Sequence, residues 1–345
     1  MLASDNTITI DDVARLAGVS RATAGRVVGN YGSVSEKTRR RVMEAVKQLD
    51  YQPNFIARGL RSNETKTIAV IVGSIKNNYS SALIAVIERE AQKKGYDILI
   101  CNSHEDVKQE LQHLKNLTSR KVDGIILMSA YKVDEVIPEK VQHLYVGKLP
   151  LVFVDRTVKG IDRDVVQSEN FGASYEATKY LINMGHRKIG VISTDNFSTV
   201  KERLKGYRAA YIESGIPVDE AVIARVTAKG KSSREVTRKL LNEHPDITAL
   251  YILNNSLSSG VLLELKDSRI KIPDDISLLA WDDEEYNELL DITTVEQPID
   301  EIGRMVVQRL FELMGEPDAE PGYECMKLKT KLIIRKSCTP PSRRK

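Results

Sequence analysis

Cysteine is scarce in this chain of 345 residues: only Cys101, Cys325 and Cys338 occur, and no two of them are close in sequence. The scarcity excludes a disulfide framework and every zinc or redox site built on a CxxC motif. Long hydrophobic runs are missing too, since no apolar stretch reaches the length of a membrane span and no signal sequence opens the chain. We therefore expect a cytoplasmic protein with no membrane partner.

Motifs of the common enzyme classes are also absent. The sequence contains no GxSxG, no Walker loop, no GxGxxG and no HExxH. The histidines are scattered without metal-ligand spacing, at His104, His113, His143, His186 and His244. We expect no enzymatic activity, no cofactor and no metal site.

Positive charge is in small excess, but the excess is unevenly placed. The formal net charge is +3, yet residues 1–66 carry 11 Lys and Arg against seven Asp and Glu, whereas the remainder carries 40 against 41. A small basic segment joined to a near-neutral body suggests a polyanionic partner. The alternative is a solvated basic face that has no partner.

The first 50 residues show no convincing strand and predict three short helices. Thr9 caps the first, Gly18 ends it, Ser20 caps a second over residues 20–28, and Ser35 opens a third. The second helix follows a tight turn and begins with small and basic residues. This is the helix-turn-helix arrangement, in which the second helix enters the DNA major groove. An ordinary surface helix of a small bundle is the alternative.

From Thr67 onward, short apolar strands alternate with amphipathic helices. Eight strands are predicted in two sets of four, with a gap near residues 160–170. Near-continuous apolar strands between helices indicate parallel sheets that are covered on both faces. We therefore predict two similar α/β lobes. After them, TTVEQP is predicted as a strand-like entry to one long helix, CMKLKTKLIIRK as a single final strand, and SCTPPSRRK as disordered.

The chain resembles one protein family over nearly its whole length. TIDDVARLAGVSRATAGRVV and VSEKTRRRVMEAVKQLDYQPNFIARGL resemble the start of the LacI/GalR bacterial transcription regulators. VDGIIL, LVFVDR, MGHRKIGVIS, RLKGYRAA, TTVEQP and LIIRKSCTPP continue the similarity. The resemblance implies an N-terminal all-α helix-turn-helix DNA-binding domain with a hinge helix, followed by a two-lobed α/β effector domain like the type I periplasmic binding proteins.

The resemblance also sets the expected domain boundaries. The DNA-binding domain is expected at 1–52, the hinge helix and linker at 53–66, the effector-binding and dimerisation domain at 67–338, and a tail at 339–345. The expected N-lobe comprises about 67–165 and 297–322, and the expected C-lobe about 166–296 and 323–338.

In such proteins, the N-terminal domain carries the DNA contacts. The resemblance assigns base readout to Arg21, Ala22 and Arg26, and arginine can donate two hydrogen bonds to guanine. It assigns phosphate contacts to Thr9, Ser20, Thr23, Ser35, Thr38 and Asn54. The chain departs from the family at Gly25, where a serine is usual, and at Gly29, where an asparagine is usual. We therefore expect weaker binding to DNA or a preference for a different operator sequence.

Residues 54–61 resemble the hinge helix of the family. Two copies of that helix place Leu60 in the minor groove as an apolar wedge that bends the duplex. The segment is too short to be stable alone, so we expect it to become helical only on DNA. A core leucine of a fourth helix is the alternative for Leu60.

Polar residues that follow the predicted strands form the candidate effector site, because ligands of open α/β sheets bind beyond the carboxyl ends of the strands. The candidates of this kind are Asn77, Tyr79, Asp155, Arg156, Asn254, Asn255, Asp282 and Gln297. The resemblance adds Arg203, because in such proteins this position holds a sugar ring or an acidic oxygen. Paired donors and acceptors with an aromatic face suit a sugar or sugar derivative. Asp155 and Arg156 could instead form a salt bridge within a lobe, Asn255 could cap a helix, and Trp281 could fill space beneath the site.

Together these features predict a homodimeric regulator that binds a pseudo-palindromic DNA operator under the control of a small sugar-like effector. Repression with release by the effector is expected, whereas a corepressor or an activator would use the same parts. A solute-binding protein and a sugar-processing enzyme are the rival functions. The basic N-terminal segment disfavours the first, and the missing catalytic motifs disfavour the second.

Overall fold

The computed structural model describes residues 8–29, 31–51, 64–194, 197–227, 232–315 and 323–341. The chain divides into two compact units, residues 1–66 and 67–345. Asn54 and Leu60, both predicted to contact DNA, lie outside the described residues. None of the helices in the described ranges is long and apolar enough to cross a membrane.

The N-terminal unit contains the three predicted helices: α1 (Ile10–Ala17), α2 (Arg21–Val28) and α3 (Glu36–Gln48). Their apolar sides meet in one small core, in which Val13 of α1 and Val42 of α3 are fully buried. The shared core confirms a minimal three-helix bundle.

Capping interactions fix the ends of these helices. The Asp12 carboxylate accepts hydrogen bonds from the Thr9 backbone N–H at 2.9 Å and from the Thr9 hydroxyl at 2.7 Å. Gly18 ends α1 in the left-handed conformation, with φ of 61°. The Ser20 hydroxyl then accepts from the Thr23 N–H at 3.1 Å at the start of α2. The predicted capping pattern is confirmed.

The second unit contains two six-stranded sheets, which define its N-lobe and its C-lobe. In spatial order, the N-lobe sheet comprises β11 (Cys325–Leu328), β5 (Val165–Ser168), β4 (Leu151–Val154), β3 (Gly124–Leu127), β1 (Thr67–Val72) and β2 (Asp97–Asn102). The C-lobe sheet comprises β12 (Lys331–Ile333), β10 (Thr293–Glu296), β9 (Ser277–Trp281), β8 (Ala249–Ile252), β6 (Ile189–Ser193) and β7 (Ile223–Arg225). Every pairing is parallel except that of β10 with β12.

Helices cover both faces of each sheet, so each lobe has two apolar cores. The α-helices are α4 (Asn78–Lys93), α5 (Val107–Arg120), α6 (Glu139–Val146), α7 (Asn170–Asn183), α8 (Ser198–Glu213), α9 (Ser233–Glu243), α10 (Ser258–Asp267), α11 (Glu285–Leu289) and α12 (Ile299–Gly315). Two short 3₁₀ helices span Glu220–Val222 and Asn255–Leu257. This architecture confirms the predicted two-lobed α/β fold.

The strand count and the division between lobes differ from the sequence prediction. Each sheet has six strands, whereas the prediction had two sets of four followed by a strand-like entry and a final strand. The strand-like entry at TTVEQP is confirmed as β10, and β5 occupies the expected gap near residues 160–170. Because β5 pairs with β4, the residues from 166 to 168 belong to the N-lobe sheet and not to the C-lobe.

The segment CMKLKTKLIIRK forms two strands rather than one. Strand β11 runs parallel to β5 in the N-lobe, whereas β12 runs antiparallel to β10 in the C-lobe. The assignment of all of 323–338 to the C-lobe was therefore wrong for β11. The two residues between the strands, Lys329 and Thr330, carry the chain from one sheet to the other.

The C-terminal tail is anchored further than expected. The Ser337 hydroxyl donates to the Leu278 carbonyl at 2.5 Å, and the Thr339 N–H donates to the Ser277 hydroxyl at 3.0 Å. The buried His186 ring lies 3.0 Å from the Thr339 carbonyl. The prediction of disorder from 337 onward is therefore wrong through residue 341.

Candidate functional site

The exposed side of α2 carries the three side chains predicted to read bases. Arg21, Ala22 and Arg26 are exposed, whereas Ala24 and Val27 of the same helix are buried in the bundle core. Helix α2 therefore presents two guanidinium groups and a methyl group on the side opposite the core.

Two pairs of hydroxyls lie at helix N-termini in this unit. The Ser20 and Thr23 hydroxyls are 2.9 Å apart at the start of α2, and the Ser35 and Thr38 hydroxyls are 2.9 Å apart at the start of α3. Unpaired N–H groups and the helix dipole make such ends favourable for anions. All four residues lie where a phosphate contact is predicted, while the Thr9 hydroxyl donates within its own capping box.

A narrow cavity lies between the lobes of the second unit, and the empty space in and around it, including open solvent, is about 420 Å³. The predicted effector residues all line it: Asn77, Tyr79, Asp155, Arg156, Arg203, Asn254, Asn255, Asp282 and Gln297. Ser80, Glu105, Met128, Phe197, Thr199 and Val200 complete the lining. Loops that follow strands and helix α8, which carries Arg203, thus bring the nine candidates together as predicted.

Arg203 is held rigidly at the floor of the cavity. Its Nε donates to Asn170 Oδ1 at 2.8 Å, its Nη1 donates to the Leu253 carbonyl at 2.6 Å, and its guanidinium carbon lies 3.7 Å from the centroid of the Trp281 ring. Helix α8 packs closely against α7 at Gly206, where a β-carbon would overlap the carbonyl oxygen of Phe171. This close approach, which glycine allows, brings Arg203 of α8 to Asn170 of α7. Trp281 is fully buried, so it fills space beneath Arg203.

The Arg156 guanidinium contacts the carboxylates of Glu105 and Asp155 in the N-lobe and the ring of Phe197 in the C-lobe. Its Nη1 and Nη2 donate to the two carboxylate oxygens of Glu105 at 2.6 and 3.2 Å, and its Nε lies 3.6 Å from Asp155 Oδ2. Its guanidinium carbon lies 3.9 Å from the centroid of the Phe197 ring, just before α8 of the C-lobe. Arg156 is therefore more than a salt-bridge partner of Asp155, because Glu105 is its stronger partner.

Asp282 is a buried carboxylate with a raised pKa. Burial raises the pKa of Asp282 to about 7, although Arg203 and a hydrogen bond from Gln297 oppose the shift. Gln297 Nε2 donates to Asp282 Oδ1 at 2.6 Å, and Gln297 Oε1 accepts from the Ser168 hydroxyl at 2.6 Å. Burial likewise raises the pKa of Asp155. Burial therefore makes ionisation of each carboxyl group less favourable. A ligand that donates a hydrogen bond to the ionised carboxylate would reduce this free-energy penalty.

Side-chain amides join the lobes at the mouth of the cavity. Asn77 Nδ2 donates to Asn255 Oδ1 at 2.9 Å, and Asn255 Nδ2 donates to Glu284 Oε1 at 2.8 Å. Asn78 Nδ2 donates to the other oxygen of Glu284 at 2.6 Å. The side-chain oxygen of Asn254, rather than that of Asn255, caps the short helix that follows β8. The alternative role for Asn255 as a helix cap is therefore wrong.

Three buried polar atoms on residues of the cavity lining have no hydrogen-bond partner among the described residues: Tyr79 Oη, Asp155 Oδ1 and Arg156 Nε. Burying a polar atom without a partner costs about 1–3 kcal/mol. The lining residues therefore carry hydrogen-bonding capacity that the described residues leave unused. The cavity is thus suited to a polar guest.

Six lining residues were not predicted from the sequence: Ser80, Glu105, Met128, Phe197, Thr199 and Val200. Glu105 follows β2, but it reaches the cavity only because His104 and Glu105 both adopt left-handed φ values of 53° and 55° and because Gly73 leaves room for the carboxylate. The acidic side chain after a predicted strand was an available signal. Phe197 and Thr199 follow no strand directly, and they carry no comparable signal.

Family comparisons agree with both units. Residues 9–54 match the bacterial regulatory proteins of the lacI family. Residues 65–335 match the periplasmic binding proteins and sugar binding domain of the LacI family. The chain belongs to the LacI family. The resemblance found in the sequence is thereby confirmed.

Relatives of known name within the LacI family are similar over most of their length. The HTH-type transcriptional regulator DegA of Bacillus subtilis is 33% identical, covering 86% of this chain and 88% of DegA. The HTH-type transcriptional repressor PurR of Pasteurella multocida is 30% identical, covering 95% of this chain and 98% of PurR. The structure of the transcriptional regulator CelR in complex with cellobiose has a TM-score of 0.71 at 26% identity, covering 96% of this chain and 100% of CelR.

As a LacI-family member, the chain is a DNA-binding regulator of transcription and not an enzyme. Its N-terminal unit is the helix-turn-helix domain, and its second unit is the domain that resembles type I periplasmic binding proteins.

Proposed function

We propose that the protein is a cytoplasmic, homodimeric repressor that leaves its operator when a neutral sugar occupies the cavity between the lobes. Repression is the role in the name of the PurR relative, and a sugar is the ligand in the name of the CelR complex. The observation that carries the proposal is the cavity itself, which gathers nine predicted polar residues and three buried polar atoms without partners.

The charge of the cavity favours a neutral ligand. Three lining carboxylates, Glu105, Asp155 and Asp282, face two arginines, Arg156 and Arg203. Glu105 neutralises Arg156 through two hydrogen bonds, and burial lowers the pKa of Arg203 while Asp155 and Asp282 oppose the shift. Because each arginine already faces carboxyl groups, the cavity offers no uncompensated cation to an anion such as a sugar phosphate or a sugar acid. A neutral sugar needs no such cation.

The proposed DNA contacts divide into two classes. Arg21, Ala22 and Arg26 read base edges from the exposed side of α2. Phosphate contacts fix the register and come from Thr9, Ser20, Thr23, Ser35, Thr38 and, in the segment outside the described residues, Asn54. Leu60, also outside those residues, is proposed as the minor-groove wedge.

The first test is selection of duplexes from a random-sequence pool by the full chain. A repressor of this kind enriches a two-fold symmetric site. Arg26→Ala should weaken binding to the enriched duplex by roughly 1–3 kcal/mol. The matched control is Arg40→Ala on α3, which removes the same charge from an exposed side chain paired with Glu44. Equal affinities of the Arg26→Ala and Arg40→Ala variants would contradict base readout by Arg26.

The second test is a panel of neutral sugars and their anionic counterparts, with glucose, ribose and cellobiose set against gluconate and glucose 6-phosphate. We expect one neutral sugar to raise the thermal unfolding temperature and to lower affinity for the enriched duplex. A sugar that instead raises that affinity would identify a corepressor. Stabilisation by an anion alone would overturn the proposed ligand class.

A further inference from the structure

The side chain of Tyr31 packs against Gly25 and Gly29 of helix α2 and its C-cap. A β-carbon at residue 29 would overlap Cε1 of Tyr31 and come within 2.5 Å of its Cδ1, so only glycine at 29 allows this position of the ring. A β-carbon at residue 25 would lie 3.6 Å from the Tyr31 hydroxyl. Gly25 and Gly29 therefore form a shallow groove along α2, and Tyr31 occupies it.

Backbone interactions in the turn after α2 hold Tyr31 beside the helix. The Tyr31 N–H donates to the Arg26 carbonyl at 3.0 Å, which holds the turn after α2 against the helix. The next residue, Gly32, has φ of 74°, a conformation that favours glycine. The Arg26 side chain passes this turn, since a β-carbon on Gly32 would lie 3.5 Å from Arg26 Cδ.

Gly25 and Gly29 lie on the side of α2 that carries the arginines. Arg21, Gly25 and Gly29 follow one another at intervals of four residues and so share one face of the helix. Tyr31 remains 46% exposed there. The hydroxyl of Tyr31 consequently lies beside Gly25, on the exposed side of the helix that enters DNA.

We infer that Tyr31 is a DNA-contacting residue whose hydroxyl donates a hydrogen bond to a backbone phosphate. The inference rests on the proposed function, because it requires α2 to enter the major groove. Side chains at the start of such a helix touch bases, whereas the Tyr31 hydroxyl lies beside its middle, where the flank of the helix faces the sugar-phosphate backbone. Tyrosine hydroxyls are common donors to phosphate.

The inference also explains a glycine inside a helix. Gly25 costs α2 roughly 0.5–1 kcal/mol relative to alanine. The absence of side chains at Gly25 and Gly29 leaves room for the ring of Tyr31 beside α2. Tyr31, from the turn that follows, then supplies a hydroxyl beside residue 25, where α2 itself has no polar side chain.

The central test is Tyr31→Phe in the full chain, with the duplex enriched by the wild-type protein as the probe. We expect affinity to fall about 3–10-fold, as for the loss of one hydrogen bond. The loss should be equal on duplexes with single base changes, because a phosphate contact carries no sequence information. The dependence of affinity on salt should keep its slope, because a neutral hydroxyl releases no counterion. Tyr323→Phe, which removes an exposed tyrosine hydroxyl from the second unit, is the control and should bind like the wild type.

Two further variants test the geometry. Gly29→Ala should displace the ring, reproduce the loss seen in Tyr31→Phe, and add little to it in the double variant. Gly25→Ser in the Tyr31→Phe background should restore most of the affinity, because its hydroxyl reaches the place that the tyrosine hydroxyl has left. Thermal unfolding of each variant checks that the domain is folded.

Unchanged affinity of Tyr31→Phe would overturn the inference. A loss confined to one base position of the duplex would overturn the phosphate assignment and make Tyr31 a base reader. A wild-type chain that enriches no duplex would instead overturn the proposed function, and the inference with it.

Discussion

The side-chain amide of Asn77 donates a hydrogen bond to the side-chain oxygen of Asn255 at 2.9 Å, and the two residues belong to different lobes. Asn77 also caps helix α4, where its side-chain oxygen accepts from the Ser80 N–H at 3.2 Å. The rigid start of one helix is thus connected to the loop after β8. This bond lies at the mouth of the proposed effector cavity, so it favours the arrangement in which the lobes are close.

Loss of this connection should weaken effector binding. Asn255→Ala removes the bonds to Asn77 and Glu284, each worth about 0.5–1.5 kcal/mol or somewhat more for the charged partner. We expect the dissociation constant of the effector to rise by roughly 5–100-fold, with little change in DNA affinity without effector. Calorimetric titration measures the first and duplex binding the second. Gln112→Ala removes an exposed amide pair on α5 and serves as the control. Equal effector affinities of the two variants would contradict a role for the connection.

Arg203 should be required for the effector response and not for DNA binding. Arg203→Ala leaves the Leu253 carbonyl without its donor and removes the cation that faces Asp282, so stability should fall by about 3–5 kcal/mol. Arg203→Lys keeps the charge but loses the planar pair of donors. We expect both variants to bind the enriched duplex and to show no stabilisation by the effector.

The control for Arg203 lies on the same helix. Arg208 pairs with Glu220 on the surface, so Arg208→Ala should cost less than about 1 kcal/mol and leave the effector response intact. A normal response of Arg203→Lys would show that the effector site lies elsewhere.

Glu105 should set the charge preference of the cavity. Glu105→Gln keeps one acceptor for Arg156 but removes a negative charge. A unit charge about 6 Å from a ligand contributes on the order of 2–3 kcal/mol at an effective dielectric constant of 20. We expect gluconate to bind at least about tenfold more tightly than in the wild type, with a smaller change for a neutral sugar. Thermal shifts measured with both ligands test this expectation.

The matched control for Glu105 is Glu243→Gln, which removes an exposed carboxylate paired with Lys239 on α9. It should leave both ligands unaffected. Equal changes for gluconate and for the neutral sugar in Glu105→Gln would contradict an electrostatic role for this residue.

The sequence predicted the parts of the cavity that depend on strand ends. Asp155 and Asp282 follow β4 and β9 directly, as the strand pattern predicted, because parallel strands carry their carboxyl ends to one edge. Arg203 lies in helix α8, and only the family resemblance assigned it to the site. Glu105 was missed because its position depends on two left-handed residues and on the room left by Gly73. The place of Glu105 just after a predicted strand was a usable signal, but the left-handed backbone that brings its side chain into the cavity has no periodic signal in the sequence.

The lobe boundaries failed for a related reason. Strands β11 and β12 are separated by Lys329 and Thr330 alone, so the apolar pattern runs through both without a turn signal. Only the pairing of each strand with a different sheet reveals the crossing. The role proposed for Tyr31 was equally hidden, because a sequence does not tell which side chain fills the groove left by a glycine.

The pKa of Asp282 gives the stability of the ligand-free protein a distinct pH dependence. Burial raises this pKa from 3.8 to about 7, so the folded state binds a proton that the unfolded state has released. The associated stability is fully present below pH 4 and is lost as the pH rises through 7, at up to about 1.4 kcal/mol per pH unit. The Asp282→Asn variant has no carboxyl group at this position, so it should not show this loss of stability with rising pH. The free energy of unfolding of Asp282→Asn should therefore rise relative to that of the wild type between pH 5 and 7, as measured by denaturant titration.

The neighbouring carboxyl provides the matched control for Asp282. A hydrogen bond from Arg335 lowers the pKa of Asp283 below 3.8, so its stabilisation is present above that pH and is lost only in stronger acid. Asp283→Asn should therefore be less stable than the wild type by a constant amount from pH 5 to 8. Parallel stability curves for Asp282→Asn and the wild type over this range would show that Asp282 is ionised at pH 5, and that the cavity carries one more negative charge in weak acid than its burial implies.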